Sequence, residues 1–451
     1  MIINSFRIIL IFTAILLFSS CEKDSSITGK EDSDENSNNT ELITINLSDN
    51  MLNEYIINAV VFASRMDGSL LVSKQFNNSD KTIILETDKK LSLDEEFMLT
   101  FALTDNGMAT GLLTYANLTR EKLSSINFKT PVRLTEGIEN NYSSINFQPT
   151  DNITSLGAEN SLDSPYSILM DQNRENLSLV INEGFEAPLE TIYLFGQQNT
   201  GFDKDSYLFL NLPLMDNFTL DKDDFKFNEL EAKSFFVSNP NISKFNRSSY
   251  FNLFGYLDEK DKAINRFHKL SFTSASIDNE NQYSMNTIFS SYWYNLYNGN
   301  YYAERKGLPM QNYDIPELAI DYTLVDNNID INIDGQEHEV GKIQLFNYEN
   351  QNTIVYVWNF NFDSKTTSTI TIPELPNEMG VSMLQGYYDN STFKVGSVEV
   401  YNFFGLNSYD DYLNNLVKDQ KQLFDGSDGF EVISNSDFEY YNTPIRDKVF
   451  Q

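Results

Sequence analysis

Ile354-Val355-Tyr356-Val357-Trp358-Asn359-Phe360-Asn361-Phe362 is the stretch that says most about the fold of this chain. Aromatic or aliphatic side chains occupy every second position, and asparagines stand at two of the positions between them. Because successive side chains of a β-strand point to opposite faces of a sheet, the pattern predicts a strand with a fully apolar face. We expect Trp358 to lie in a sheet core.

Similar strand-like runs lie on both sides of this stretch. After a short run at 144–148, they are predicted at 177–182, 189–196, 206–212, 233–238, 267–273, 286–297, 318–324, 329–333, 342–348, 368–372 and 393–403. No internal period of 20 to 50 residues accompanies them, which disfavours a propeller with regular blades. The chain is therefore predicted to be all-β.

One segment near the C terminus has helical spacing instead. Ser408 and Asp411 form a variant of the capping box, and Gly426 follows as a stop signal. Between them, one stripe at helical spacing collects Tyr412, Leu413, Leu416, Val417, Leu423 and Phe424. We expect one C-terminal helix that covers a hydrophobic edge of the sheet.

The region 41–134 has its own rhythm of short strands. Ile43, Ile45 and Leu47 alternate with polar residues, and further runs follow at 55–64, 69–75, 82–86, 97–104 and 111–116. Asp67-Gly68 and Asn106-Gly107 lie between adjacent runs and favour tight hairpin turns. This rhythm predicts a small antiparallel β-sandwich and resembles that of immunoglobulin-like and carboxypeptidase-regulatory-like modules.

A domain boundary is predicted after this module. Residues 135–165 have little regular pattern and several Gly, Asn and Pro residues. Residues 135–451 are then expected to form a larger antiparallel β region, with a division near 307–316 where Gly and Pro residues recur.

The N terminus has the features of an export signal. Residues 1–20 contain one charge, Arg7, followed by an apolar run at 8–18 that is too short to span a bilayer as a helix. Leu17-Phe18-Ser19-Ser20-Cys21 resembles the bacterial lipobox, in which the cysteine is lipidated and becomes the mature N terminus. Cys21 is also the single cysteine of the chain. The alternative is an ordinary secretory signal with an incidental cysteine.

The next segment, 21–40, is predicted to be a disordered acidic tether, because it has no aromatic residue and Ile27 is its one aliphatic side chain. Glu22-Lys23-Asp24 resembles the charged export signal of surface-displayed lipoproteins in Bacteroidota-type bacteria. The resemblance implies an outer-membrane protein that is lipid-anchored through Cys21 and faces the cell exterior. The periplasmic face of the outer membrane remains the alternative.

Charge limits the partners of the folded part. The chain has 65 acidic and 32 basic residues. Removing residues 1–20 takes one positive charge from the net −33 and leaves −34. This excess of carboxylates repels phosphates, so we exclude nucleic acid as a partner and expect neutral ligands, cationic ligands or divalent cations.

Catalytic motifs are scarce. The chain has two histidines and no Gly-x-Ser-x-Gly elbow. His268 lies in an alternating strand and is interpreted as structural, whereas His338 lies between Glu337 and Glu339, which should raise its pKa and keep it cationic. A glycoside hydrolase with an unidentified carboxylate pair is permitted but not supported.

Two acidic stretches resemble parts of calcium loops. Asp330-Ile331-Asn332-Ile333-Asp334-Gly335 places oxygen ligands at alternate positions, but its isoleucines alternate as in a strand, and Gly341 replaces the terminal glutamate. A strand is therefore preferred there. The loop at 425–429 could hold Ca²⁺ through Asp425 and Asp428.

The candidate ligand site is a hairpin around Asn298-Gly299, a dipeptide that favours a two-residue turn. The register it implies places Asn295 opposite Tyr302 and Trp293 opposite Glu304. One face then collects Trp293, Asn295, Tyr297, Asn300, Tyr302 and Glu304. Aromatic rings beside amides and a carboxylate suit a sugar, whose C–H face stacks while its hydroxyls bond the polar groups. The alternative is a hairpin whose aromatics only pair across strands.

The layout of signal, tether, small sandwich and larger aromatic-rich β part loosely resembles that of starch-utilisation-type glycan-binding lipoproteins. It implies a surface lipoprotein that binds an extracellular glycan as an accessory component of nutrient uptake, with an outer-membrane transporter as partner. Two alternatives stay open: a structural or adhesive surface protein that binds another protein, and the hydrolase considered above.

Overall fold

The computed structural model describes residues 39–105, 110–129, 140–147, 155–157, 166–170, 176–182, 191–197, 205–211, 219–220, 224–227, 229–241, 249–263, 266–336, 338–350, 353–379, 393–436, 438 and 444–445. The signal, Cys21 and nearly all of the tether lie outside these ranges. Residues 39–451 form one compact unit.

Strands account for most of the described secondary structure, which confirms the all-β prediction. The first fifteen are β1 Thr40–Asn46, β2 Ile56–Arg65, β3 Leu70–Gln75, β4 Thr82–Thr87, β5 Phe97–Asp105, β6 Thr110–Leu118, β7 Ser125–Asn127, β8 Asn140–Phe147, β9 Ser155–Gly157, β10 Tyr166–Met170, β11 Asn176–Asn182, β12 Thr191–Gln197, β13 Ser206–Asn211, β14 Thr219–Leu220 and β15 Lys226–Phe227. The others are β16 Glu231–Ser238, β17 Ser249–Tyr256, β18 His268–Ser274, β19 Glu280–Met285, β20 Ser291–Asn298, β21 Tyr301–Lys306, β22 Asn312–Asp314, β23 Ala319–Val325, β24 Asn328–Asp334, β25 Val340–Asn350, β26 Thr353–Asp363, β27 Thr369–Thr371, β28 Phe393–Phe403 and β29 Gly429–Ser434.

A twelve-stranded sheet is the centre of the fold. Its order is β18-β17-β20-β21-β29-β28-β25-β26-β6-β5-β2-β3. Within the described part of the chain, five smaller sheets accompany it: β4-β1-β7, β10-β11-β8-β14, β15-β13-β12-β9, β19-β16-β22 and β23-β24-β27.

Strand β26, which contains the alternating stretch 354–362, lies in the middle of this sheet. Trp358, Phe360 and Phe362 are fully buried, as predicted. On one side β26 pairs antiparallel with β25, and on the other it pairs parallel with β6, with Tyr356 opposite Thr110. This parallel pair joins β2, β3, β5 and β6 to the strands of the sheet that come later in the chain.

The join changes the predicted domain organisation. Strands β2, β3, β5 and β6 were assigned to a separate sandwich at 41–134, but they continue the sheet formed by later strands. The predicted division near 307–316 also falls inside the compact unit, where β22 pairs with β16 and β21 pairs with β29. The predicted sandwich and the larger region therefore share one sheet.

Both faces of the large sheet are buried by apolar side chains. One core packs on the β4-β1-β7 side and extends from Ile43 and Phe101 to Tyr401 and Phe403. On the opposite face, one core is built around Trp358 with β23-β24-β27, and another around Phe251 and Tyr294 with β19-β16-β22. A sheet covered on both faces has little reason to alternate strictly between apolar and polar residues.

Helices are short among the described residues. They are α1 Glu259–Ala263, a 3₁₀ turn Asn377–Met379, α2 Tyr409–Tyr412 with a π-helical turn Leu413–Val417, and α3 Leu423–Gly426. Ser408 accepts a hydrogen bond from the Asp411 N–H, as the capping box predicts. Tyr409, Tyr412 and Leu413 cover the core beneath them, so the covering helix is confirmed, in shorter pieces than its sequence pattern indicates. Gly426 ends the last piece.

Candidate functional site

The predicted hairpin is formed by β20 and β21, but its register differs from the predicted one. The observed turn pair is residues 299–300, one residue later than expected, with Gly299 at φ +61°. As a result Asn295 lies opposite Glu304 rather than Tyr302. Glycine at the first turn position is typical of a type II′ turn, which displaces the predicted register by one residue on each strand.

The rings of this hairpin are not exposed. Trp293 is 7% exposed, and Tyr297, Asn300 and Tyr302 are buried as well. Trp293 stacks on Phe254 with ring centroids 4.0 Å apart, and Phe424 packs on it at 5.8 Å. The expectation of an open aromatic platform is therefore wrong.

The physical reason is strand β17, which the alternation of the sequence does not reveal. It lies beside β20 and contributes aromatic side chains to both faces, among them Tyr250, which stacks on Tyr297 at 4.3 Å. Residues 249–256 are apolar or aromatic at most positions and therefore lack the alternation used to find strands. The aromatic pairs hold neighbouring strands together, as the alternative interpretation of the hairpin expected.

Among the polar members of the predicted face, Asn295 and Glu304 are half-buried and Asn300 is buried, and all three bond within the protein. The Asn252 amide donates to Oδ1 of Asn295 at 2.7 Å, and the Tyr302 hydroxyl donates to Oε2 of Glu304 at 2.7 Å. Asn300 donates from Nδ2 to the Ser434 carbonyl at 3.1 Å. The structure thus brings the six predicted site residues together, but as an internal layer of the sheet.

The predicted calcium loop lies beside this layer. Asp425 belongs to α3, Asp428 follows it, and both are exposed. Lys306 Nζ lies 3.5 Å from Oδ1 of Asp428. The described residues contain no group of three or more His, Cys, Asp and Glu side chains arranged to hold a metal ion. Calcium binding at Asp425 and Asp428 remains a prediction.

The two histidines are both buried. Burial, with Arg266 nearby, lowers the pKa of His268 to about 4, which fits its interpretation as structural. For His338 the prediction of a raised pKa is wrong, because burial and the neighbouring Lys365 lower the pKa. Its Nδ1 lies 2.7 Å from the Ser364 hydroxyl. Sequence neighbours indicated the charge around this ring, but not its desolvation or the approach of Lys365.

An open pocket lies where several neighbouring strands of the large sheet end. Strands β2, β6 and β26 run in the same direction and β5 runs against them. The carboxyl ends of β2, β6 and β26 and the start of β5 therefore lie side by side at the same end of these strands. The pocket has a volume of about 340 Å³, and we call it the rim pocket; it is lined by Met66, Glu96, Asn117, Lys122, Asp363, Thr366, Thr367, Ser368 and Thr369.

Asn117 organises the rim pocket. Its backbone is left-handed at φ +55°, a conformation that asparagine tolerates better than most residues. Its Oδ1 accepts hydrogen bonds from the Asp363 N–H at 3.1 Å and the Thr367 hydroxyl at 3.0 Å. Its Nδ2 donates to Oε2 of Glu96 at 2.9 Å. One buried side chain therefore fixes the ends of three chain segments around the pocket.

The pocket is polar and carries more negative than positive charge. Lys122 Nζ lies 3.4 Å from Glu96 Oε1 and 3.6 Å from Asp410 Oδ1. Among the lining residues Glu96 and Asp363 oppose this one ammonium group. The hydroxyls of the run Thr366-Thr367-Ser368-Thr369 form the wall, and the first, third and fourth of these residues are exposed. Carboxylate, amide, ammonium and hydroxyl groups thus converge on one open space.

The sequence contains one signal for this pocket, a run of hydroxyl side chains. Residues 364–369 carry five hydroxyl side chains in six positions, directly after the most strongly predicted strand. Thr367 of this run bonds Asn117, which lies 250 positions away in the chain, and only the parallel pairing of β6 with β26 reveals this contact.

No protein-family model matches this sequence, and the comparison with curated proteins finds no match. None of the helices among the described residues has the length and apolar character needed to cross a membrane.

Proposed function

We propose that the protein is an exported lipoprotein, anchored through Cys21 to the outer membrane, that binds an extracellular glycan as an accessory component of nutrient uptake. The rim pocket is the proposed binding site, in place of the hairpin at 293–304. The observation that carries this proposal is the convergence of hydroxyl, amide and carboxylate groups on one open, preformed space.

The chemistry of the rim pocket suits a sugar. Each sugar hydroxyl both donates and accepts, and the pocket supplies hydroxyl and amide groups that do the same, with carboxylates that accept. Met66 is its one large apolar side chain and can contact a C–H face. A volume of about 340 Å³ is at the lower end for ligand sites, which suits one or two rings rather than a long chain.

The charge of the pocket further limits the classes of sugar that it can bind. The two lining carboxylates, together with the strongly negative whole molecule, disfavour uronic acids, sialic acids and sulfated sugars. Neutral sugars are the proposed class. The proposed partners are therefore a neutral glycan and, at the membrane, an outer-membrane transporter that receives it.

The test is a glycan panel probed with the full mature chain in detergent. Thr366→Val with Ser368→Ala removes two exposed hydroxyls, so the fold should be retained. We expect at least about tenfold weaker binding, which corresponds to about 1.4 kcal/mol. Thr82→Val, an exposed threonine on β4, is the matched control and should bind like the wild type. A wild-type protein that binds no glycan, or a double variant that binds as tightly as the wild type, contradicts the proposal.

The anchor has its own test. Protein extracted from membranes should carry acyl chains on residue 21 at the mature N terminus, measured by mass spectrometry, because lipid attachment there explains a sole cysteine directly after a signal core. Cys21→Ala should release the protein into the soluble fraction. A wild-type product that is soluble and has an unmodified mass would exclude lipidation.

A further inference from the structure

Three buried polar side chains form a row across adjacent central strands of the large sheet. Lys342 of β25 lies opposite Asn361 of β26 on one side and opposite Glu399 of β28 on the other. All three are at most 3% exposed. We call Asn361, Lys342 and Glu399 the polar row. Its neighbours on the same face, such as Val340 and Tyr401, belong to the apolar core.

The polar row binds the main chain of Ile445. Lys342 Nζ donates to the Ile445 carbonyl at 3.0 Å, and the Ile445 N–H donates to Oε2 of Glu399 at 2.9 Å. The Tyr401 hydroxyl also lies 3.0 Å from that carbonyl. Both peptide groups of one residue are thus recognised by side chains of opposite charge. These contacts do not involve the side chain of residue 445.

Packing alone does not require this arrangement. Burying an ammonium and a carboxylate costs several kcal/mol of desolvation per ion, and apolar side chains of similar volume often stabilise a core as well or better. What a charged pair adds is selectivity for a donor and an acceptor at defined positions. The pair is therefore suited to recognising a peptide main chain.

Asn361 adds a second recognition position. It is fully buried, and neither Nδ2 nor Oδ1 has a hydrogen-bond partner among the described residues. A side-chain amide presents one acceptor and one donor group, the same pair that a peptide group presents. It lies one strand away from Lys342, at the usual spacing of about 4.8 Å. The row thus offers more peptide-binding groups than Pro444 and Ile445 use.

We propose that the polar row is a binding site for an extended peptide main chain, that Ile445 fills it within the same chain, and that it also accepts the C-terminal segment of a second copy in trans. The segment that fits the site is present in every copy, and copies anchored to one membrane, as the proposed function has it, meet at high local concentration. This inference is independent of glycan binding at the rim pocket.

The first test uses a fluorescent synthetic peptide of residues 441–451 and the full chain carrying Ile445→Asp, which weakens the internal occupant. Fluorescence anisotropy should show binding to this variant at least about tenfold tighter than to the wild type, where Ile445 competes. Adding Lys342→Met and Glu399→Gln to the Ile445→Asp chain should abolish binding. Circular dichroism and melting curves establish that each variant is folded, and Ile445→Gly is the milder variant if Ile445→Asp unfolds.

Matched peptides distinguish main-chain recognition from simple apolar contact. A peptide with Ile445→Val keeps the N–H and should bind like the parent, whereas Ile445→Pro lacks it and should bind at least about tenfold more weakly. Equal binding of these two peptides overturns the proposal.

A second test mixes two chains. The Ile445→Asp chain keeps the site but has a weakened segment, because the substitution places a carboxylate where Ile445 is buried. The Lys342→Met, Glu399→Gln chain has the segment without its site. Sedimentation should show a heterodimer in the mixture and monomers of each variant alone. Folded variants that neither bind the peptide nor associate also overturn the proposal.

Discussion

At the scale of single residues, burial decides the chemistry of this protein more than sequence neighbours do. His338 has acidic neighbours in the sequence, yet its pKa is lowered because the ring is desolvated and Lys365 approaches it. Glu399 has a raised pKa for the same reason, burial in the sheet. The sequence could suggest which residues titrate, but the direction of each shift depends on neighbours from distant strands.

His268 provides a pH-dependent prediction. Its pKa is lowered from 6.5 to about 4 in the folded state, so the unfolded chain takes up a proton first as the pH falls. The contribution of this residue to stability is complete above pH 6.5 and is lost toward pH 4, by about 1.4 kcal/mol per pH unit and roughly 3 kcal/mol in all.

Urea unfolding of the wild type and His268→Gln between pH 7 and pH 4 measures this contribution. The comparison is needed because buried carboxyls with raised pKa values, such as Glu399, gain stability in acid and oppose the histidine. The wild type should lose more stability than the variant across this interval. Parallel pH profiles would contradict the assignment.

At the scale of strands and helices, the alternation of apolar and polar residues predicts a strand well where one face of the strand is buried. It predicts strands poorly where both faces are buried. Strand β24, Asn328–Asp334, is buried at alternate positions and lies where its sequence pattern predicts a strand, at 329–333. Strands β17 and β29 were missed, because the large sheet is covered on both faces and their sequences do not alternate clearly. The displaced hairpin register depended on one turn residue, Gly299, whose conformation the dipeptide alone left open.

A buried hydroxyl, that of Thr114, links β6 to β26 and to β5. The Trp358 indole donates to the Thr114 hydroxyl at 2.7 Å, and Thr100 shares the same hydroxyl at 2.7 Å. Thr114→Val keeps the shape and removes this shared partner from two buried polar groups. We expect a loss of about 2 kcal/mol in the free energy of unfolding.

Thr104→Val is the matched control for this variant. Thr104 pairs with Thr110 at 3.0 Å between the same two strands, β5 and β6, without the indole. Its removal should cost about 1 kcal/mol. Denaturant unfolding curves of both variants measure these losses. An equal loss in the free energy of unfolding would show that the hydrogen bond to Trp358 does not contribute to stability.

At the scale of the whole molecule, charge is the most distinctive property. A net charge of −33 on 451 residues means that carboxylates repel one another across a single folded body. Millimolar Ca²⁺ should therefore raise the melting temperature by a few degrees over chelator at matched ionic strength.

A double variant separates local from diffuse cation binding. If Asp425 and Asp428 form a calcium loop, Asp425→Asn with Asp428→Asn should remove most of the rise in melting temperature. If the cations act on the whole surface, the variant should keep it. Equal melting temperatures for the wild type in calcium and in chelator would refute both forms of the prediction.

The parallel contact between β6 and β26 also sets an order of events during synthesis of the chain. Thr114 and Trp358, which meet in this contact, are 244 positions apart in the chain. An N-terminal portion that emerges first exposes the edge of β6, and closing so long a loop is slow. Until the last third of the chain arrives, that edge is a template for pairing with other chains. A protein built this way should be aided by a chaperone that holds the early strands apart, and its yield on refolding should fall as its concentration rises.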